Sequence, residues 1–333
     1  MNIGALEYYI PEDRLTNEQI SLENPEWSIE KISAKTGIQS RPIAGEGITS
    51  ADLAFFAAEK LFNNNGIDKN KIDFLLLCTQ SPDYFLPTTA CILQHRLGLS
   101  KTVGALDYNL GCSGYVYGLA LAKSLVVSRI AHNVLLLTGE TYSKIINPKD
   151  KNCRSLFGDG ASATLITSND GIAAIGDFCL GTDGNGADNL IVKNGAFRHR
   201  QYDGCDITDN TGNFIRNDNY LYMNGGEIFD FTAKEIPKLV NETLKKNKKE
   251  SNEIDIFVFH QANKYMLNFI RKIINVPNEK FYINLMEVGN TVSATIPIAL
   301  KNAMEDGSIH KGFTVAAVGF GVGYSYGATI LHF

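Results

Sequence analysis

The fold is decided by residues 103–130, VGALDYNLGCSGYVYGLALAKSLVVSRI. A short apolar strand over 103–108 stops at Asn109, and Leu110-Gly111 turns the chain. Cys112 then opens a segment in which Lys123 is the only charge before Ser128. A helix that is apolar on every side is buried rather than amphipathic. The stretch therefore predicts a central buried helix that starts at the end of a strand, with Cys112 at its N-terminus. Unpaired backbone N–H groups and the positive end of the helix dipole there favour a thiolate. Cys112 is thus the candidate nucleophile, with a packed core cysteine as the competing reading.

The flanks extend this strand–helix grammar. Thr49-Ser50 caps a helix whose Leu53, Ala54, Ala57 and Leu61 keep helical spacing, and Gly66 ends it. Ile72-Asp73 leads into the apolar run FLLL (74–77). A loop over 81–87 precedes a helix at 88–97, and a further buried strand covers 134–137. The second half repeats the pattern. Phe229, Ala233, Ile236, Val240 and Leu244 form one helical face, and Ile254-Asp255 is followed by IFVF (256–259) and His260. Two glycine-rich endings also match: GDGASATLI (158–166) and GVGYSYGATILHF (321–333). The chain reads as an internal duplication with halves at 1–170 and 171–333, each an α/β unit with strands buried on both faces. Residues 180–222, rich in Gly, Asn and Asp, read as a lid or insertion at the join.

Composition narrows the class. The chain has 333 residues, 44% hydrophobic and 20% charged, enough for a large core and about two domains. A net charge of −5 without a long basic run argues against nucleic acid. No apolar run approaches the ~18 residues of a membrane span, and the N-terminus lacks the features of a signal peptide. Six cysteines without CxxC spacing read as free thiols in a cytoplasmic protein, with no zinc or other metal site.

His260 stands at the carboxyl end of a strand, the place where open α/β sheets bind ligands. This favours a functional histidine over a core one. Asn290, in Val288-Gly289-Asn290-Thr291, reads by itself as a turn residue. GFGVG (319–323) has no following helix, which excludes a dinucleotide fingerprint. It reads instead as a turn whose backbone N–H groups approach a ligand oxygen. Asp159 in the matching turn reads as structural. Trp27, near basic residues, is either a ring-stacking platform or ordinary packing.

Taken in order, NLGCSG (109–114), FGDGA (157–161), HQAN (260–263), GNT (289–291) with Ser293 to Pro297, and KTGI (35–38) resemble the β-ketoacyl-ACP synthase III family from end to end. The resemblance implies the thiolase fold, a five-layer αβαβα arrangement of two duplicated halves, in a homodimer. It implies that Cys112 takes an acyl group from an acyl-CoA or acyl-ACP donor. Malonyl-ACP or a related malonyl thioester then binds, and His260 and Asn290 donate hydrogen bonds to its carbonyl as CO₂ leaves. The backbone N–H groups of Cys112 and Val322 form the oxyanion hole, and no cofactor is needed. Leu86, on a loop that lines the partner subunit's pocket, and Phe229 are the acyl-pocket candidates. Trp27, Lys35, Lys151, Asn263 and Lys264 are the candidates for binding CoA or acyl carrier protein.

The chain departs from the family pattern at several of these positions. Lys35 and Lys151 stand where arginines are usual, and Tyr265 replaces a third. Lysine keeps the charge but loses bidentate phosphate geometry, so a specialised donor is expected. Leu86 replaces a frequent Phe, which would admit a larger acyl group. Degradative thiolases need a second cysteine in the last glycine-rich loop, and residues 320–327 contain none. Two other readings compete: acyl transfer to an alcohol or amine without decarboxylation, and a non-catalytic partner subunit. A Cys–His–Asn set favours condensation over both.

Overall fold

The computed structural model describes residues 1–333. Local chemistry sets its elements. Helix α1 (Ser50–Asn65) is opened by Thr49, whose hydroxyl accepts from the Asp52 N–H while the Asp52 carboxylate accepts from the Thr49 N–H. Gly66, at φ 59°, closes it. Such reciprocal caps satisfy N–H groups that a helix leaves unpaired. Leu53, Ala54, Ala57 and Leu61 are buried, as their spacing predicts.

Ten strands form the main sheet. They are β1 (Asn2–Tyr9), β2 (Phe74–Cys78), β3 (Gly104–Tyr108), β4 (Asn133–Glu140), β5 (Gly160–Thr167), β6 (Ala173–Thr182), β7 (Ile256–Phe259), β8 (Phe281–Tyr282), β9 (Thr314–Gly321) and β10 (Ser325–His332). Their spatial order is β8-β7-β9-β10-β6-β1-β5-β4-β2-β3. Read outward from the middle, the two sets of five have the same order and the same directions. The three outer strands are parallel and the inner pairs antiparallel. Only Asn2↔Ala174 and Ile3↔Ala173 join the two sets.

The helices also match in order. The first set carries α1, α2 (Thr89–Arg96) and α3 (Gly114–Val127); the second carries α4 (Gly225–Lys246), α5 (Lys264–Ile273) and α6 (Thr295–Glu305). Helices α3 and α6 share one apolar core with strands of both sets, including Val116, Leu119, Ile296 and Leu300. Helices α1 and α2 cover the outer face of the first set, and α4 and α5 that of the second. The result is five layers, helix–sheet–helix–sheet–helix. Leu75–Leu77 and Phe257–Phe259 are buried because helices lie on both faces of their strands.

Two expectations need correction. The strand before Cys112 begins at Gly104, and α3 begins at Gly114, so Cys112 lies in the turn just ahead of the helix rather than at its N-terminus. Nor is α3 buried all round: Leu121 and Val127 are exposed, as is Leu106 on β3. Strand β3 ends the sheet, and no further strand pairs with its outer edge. The segment after β6 contains two small ribbons, Leu190–Ile191 paired with Tyr222–Met223, and Ile207–Thr208 paired with Phe214–Arg216.

Candidate active site

Cys112, His260 and Asn290 line one cavity of about 500 Å³. Each comes from the carboxyl side of a strand. Cys112 lies between β3 and α3, His260 directly follows β7, and Asn290 lies between β8 and α6. Strands β7 and β8 are parallel neighbours, so His260 and the connection that carries Asn290 leave the sheet at the same edge.

The Cys112 side chain packs against Gly321. A Cβ at that position would stand 2.8 Å from the sulfur, closer than real Cβ atoms approach. Glycine is therefore required for the turn to pass the thiol. The backbone N–H groups of Cys112 and Val322 are directed at the sulfur and favour its thiolate. Burial outweighs them, with the nearby Glu140 carboxyl acting in the same sense, and the thiol is pushed up to about 12. This corrects the expectation of a resident thiolate. Two N–H groups in a turn do not offset removal from water.

His260 is buried, and burial holds its imidazole down to about 3. Its Nδ1 lies 2.7 Å from Thr295 Oγ1. The Thr295 hydroxyl donates to the Val292 carbonyl at 3.0 Å. The Phe320 ring meets the imidazole edge-on at 5.6 Å. Asn290 is pinned at three points. Its N–H donates to the Leu156 carbonyl (2.9 Å), its carbonyl accepts from the Gly158 N–H (3.0 Å), and its Oδ1 accepts from the Val292 N–H (2.9 Å). With Oδ1 occupied, the Nδ2 hydrogens are the part of the amide left to a ligand.

The remaining candidates divide. Lys35, Asn263 and Phe229 line the cavity. Asn263 also caps α5, its side chain accepting from the Met266 N–H at 2.8 Å. Phe229 meets Phe269 at 4.6 Å and the exposed Tyr265 at 5.8 Å. Trp27 lies outside the cavity wall, with the ammonium of Lys35 4.8 Å and that of Lys151 5.6 Å from its ring centre. Lys151 is paired with Glu26. Lys264 is exposed and packs over Gly37. Leu86 is 81% exposed and does not reach the cavity of its own chain. Leu190 and Met223, from the first small ribbon, form part of the cavity wall. Asp159 accepts from the Ala44 and Ser143 N–H groups, a structural tie between segments.

Two residues escaped the sequence reading. Glu140 ends β4, fully buried with no cation beside it, and burial pushes its carboxyl up to about 8. It accepts from the Gln80 N–H (3.1 Å), the Ser81 hydroxyl (3.2 Å) and the Ser293 hydroxyl (3.0 Å). The signal that singled out His260, an ionisable residue closing an apolar strand, also applies to it. Thr295 had no such signal, because its partner His260 is 35 residues away. No helix is long and apolar enough to cross a membrane.

Comparison with known proteins places this geometry. Residues 106–184 match the 3-oxoacyl-[acyl-carrier-protein (ACP)] synthase III family, and residues 244–333 match the C-terminal family of the same enzyme. Among curated relatives, a β-ketoacyl-[acyl-carrier-protein] synthase III of Clostridium perfringens is 38% identical over 97% of this chain and 96% of its own. One of Fusobacterium nucleatum is 37% identical over 99% and 98%. Among solved structures, a 3-oxoacyl-(acyl-carrier-protein) synthase III superposes with a TM-score of 0.96 at 46% identity, over 100% of this chain and 99% of its own. The enzyme of Thermus thermophilus gives 0.87 at 34% identity, over 100% and 99%. The fold is thus the thiolase fold of the condensing transferases. The chain belongs to the β-ketoacyl-ACP synthase III family.

Proposed function

We propose that this chain catalyses acyl transfer to Cys112 followed by decarboxylative condensation with malonyl-ACP or a related malonyl thioester. The observation that carries this reading is the convergence of Cys112, His260 and Asn290 on one cavity, with the Val322 N–H directed at the sulfur. An acyl-CoA or acyl-ACP donor enters, and the sulfur of Cys112 attacks its thioester carbon. The Cys112 and Val322 N–H groups, fixed in place, then receive the oxyanion, where such donors act with no reorganisation. Loss of CO₂ from the malonyl group places negative charge on its thioester oxygen. Asn290 and His260 face that position, and the resulting carbanion attacks the acyl carbon on Cys112. Transfer to an alcohol or amine would leave the Asn290 amide without a charge to stabilise.

The same reading extends to the rest of the molecule. The halves 1–170 and 171–333 act as two thiolase-like units, with 180–222 as an insertion over the site. The protein works as a cytoplasmic homodimer in which Leu86 reaches the partner's acyl pocket, and Phe229 borders the acyl path in its own chain. Trp27, Lys35, Lys151, Asn263 and Lys264 surround the carrier of the acyl group.

Incubation with a panel of acyl-CoA and acyl-ACP thioesters tests the reading. Intact mass should rise by one acyl group per chain, and Cys112→Ala should abolish the gain. A wild-type chain that takes no acyl group from any donor would overturn it.

A further inference from the structure

A serine at the N-cap of a helix ordinarily accepts from an N–H of the first turn. Ser113 stands at the N-cap of α3 and makes no such bond. Its hydroxyl lies instead 2.5 Å from that of Ser325, the first residue of β10 and 212 positions away. Both side chains are buried. The Ser325 hydroxyl also donates to the Val322 carbonyl at 3.0 Å. A chain of two hydroxyls thus runs from the residue after Cys112 to Val322, and it crosses from one half of the molecule to the other.

The two ends of this chain carry the two N–H groups directed at the Cys112 sulfur, its own and that of Val322. Donors from separate halves act together only while the loops that carry them keep their spacing. Val322 is weakly held by its own backbone, because Gly321 and Gly323 flank it and glycine leaves the chain free to rotate. Beyond the turn the backbone is fixed without the serine hydroxyls. Tyr324 and Asp183 exchange backbone hydrogen bonds of 2.7 and 2.9 Å, the Tyr324 ring stacks on Phe231 at 4.1 Å, and Ser325 pairs with Thr182. Removing a hydroxyl therefore leaves the strands in place and releases the Val322 carbonyl.

We propose that the Ser113–Ser325 bridge sets the spacing of the Cys112 and Val322 N–H groups, which makes both serines positioning residues for acylation. This rests on the function proposed above and deepens it. As Sγ bonds to the thioester carbon, the carbonyl electron pair moves onto oxygen, where the two N–H groups hold it. The return of that pair expels the carrier's sulfur, and the proton of the Cys112 thiol leaves with the carrier. Such donors act at about 2.7–3.1 Å from the oxygen, and a misplacement of about 1 Å costs ~10²-fold in rate.

Single-turnover acylation of the full-length protein, followed by intact mass, tests the bridge. Ser113→Ala and Ser325→Ala should each slow acylation at saturating donor by roughly 10- to 100-fold, with the half-saturating donor concentration unchanged. The double variant should be no slower than the slower single one, since both remove the same bridge. Ser325→Thr, which keeps the hydroxyl, should recover most of the rate. Alkylation of Cys112 by iodoacetamide displaces iodide and builds no oxyanion, so it should stay near the wild-type rate in every variant. Wild-type acylation in both alanine variants, additive losses in the double variant, or alkylation that falls in step with acylation would each overturn the proposal. So would an alanine variant that no longer folds, because the serines would then hold the fold rather than the donors. A wild type that takes no acyl group ends the function proposed above and this inference with it; alanine variants that acylate normally end this inference alone.

Discussion

The two halves build the same connection and use it differently. Between β3 and α3 the first half places Cys112; between β8 and α6 the second places Asn290. Each connection is braced by the glycine turn of the other half. The first half's turn holds Asn290: Phe157 forms a bridge with it, and the Gly158 N–H donates to its carbonyl at 3.0 Å. The second half's turn holds Cys112 through Gly321 and the Val322 N–H. A duplicated unit thus makes one site by exchanging supports, and neither half contains a complete one. The strand ends differ too. His260 follows β7, whereas Thr79 follows β2 and its hydroxyl bonds only Ser50 and Ser81.

The sharpest break between the halves should come from Asn290→Ala. Cys112 should still take its acyl group, while CO₂ release from the malonyl thioester should fall by ~10²–10³, the typical cost of one lost oxyanion donor. Radiolabelled CO₂ release and intact mass, measured on the same sample, separate the two steps. Undiminished CO₂ release would remove Asn290 from the chemistry and end the contrast drawn here.

The exchanged supports predict a smaller, crossed effect. A Cβ at Gly321 meets the Cys112 sulfur at 2.8 Å; one at Gly158 meets the Val288 carbonyl at 2.8 Å and Pro42 at 2.9 Å. Both Gly321→Ala and Gly158→Ala should therefore cost about 1–3 kcal/mol by overpacking, read as unfolding midpoints. Their kinetic effects should differ. Gly321→Ala should slow acylation, and Gly158→Ala, acting through Asn290, should slow decarboxylation. Identical kinetic profiles for the two would mean that the turns support the fold alone.

How much of this was legible in the sequence follows from range. Periodicity and capping are local, so α1 with its Thr49 cap, the doubly buried 74–77 and 256–259 strands, and the repeat were readable. The places of Cys112 and His260 at strand ends were readable because a thiol or imidazole closing an apolar strand is a local pattern. The ionisation state of Cys112 was not, since it depends on burial and on Glu140, 28 positions away and brought near only by sheet order. Asn290 looked like a turn residue and is one; its Oδ1 makes the turn, and the residue also lines the cavity. Thr295 was invisible because a threonine opening a helix has many ordinary roles, and only contact with His260 distinguishes it.

Per pH unit, the smallest expected effect concerns stability against pH, where the halves pull in opposite directions. Glu140 has its folded carboxyl raised from 4.5 to about 8. Below 4.5 both folded and unfolded forms are protonated and stability is full. Between 4.5 and about 8 the unfolded chain releases a proton that the folded one keeps, so stability falls as pH rises. His260 is the mirror case, held down from 6.5 to about 3. Above 6.5 its contribution is full. As pH falls from 6.5 towards 3, the unfolded imidazole gains a proton that the folded one refuses, and stability falls. Urea midpoints across pH should show both limbs. Glu140→Gln should flatten the rise-of-pH limb between 4.5 and 8, and His260→Gln the acid limb below 6.5. Each affected pH unit changes stability by at most about 1.4 kcal/mol per group. If neither variant alters its own limb, the two buried groups titrate as freely as exposed ones, and the first half's suppressed acid is no counterpart to the second half's suppressed base.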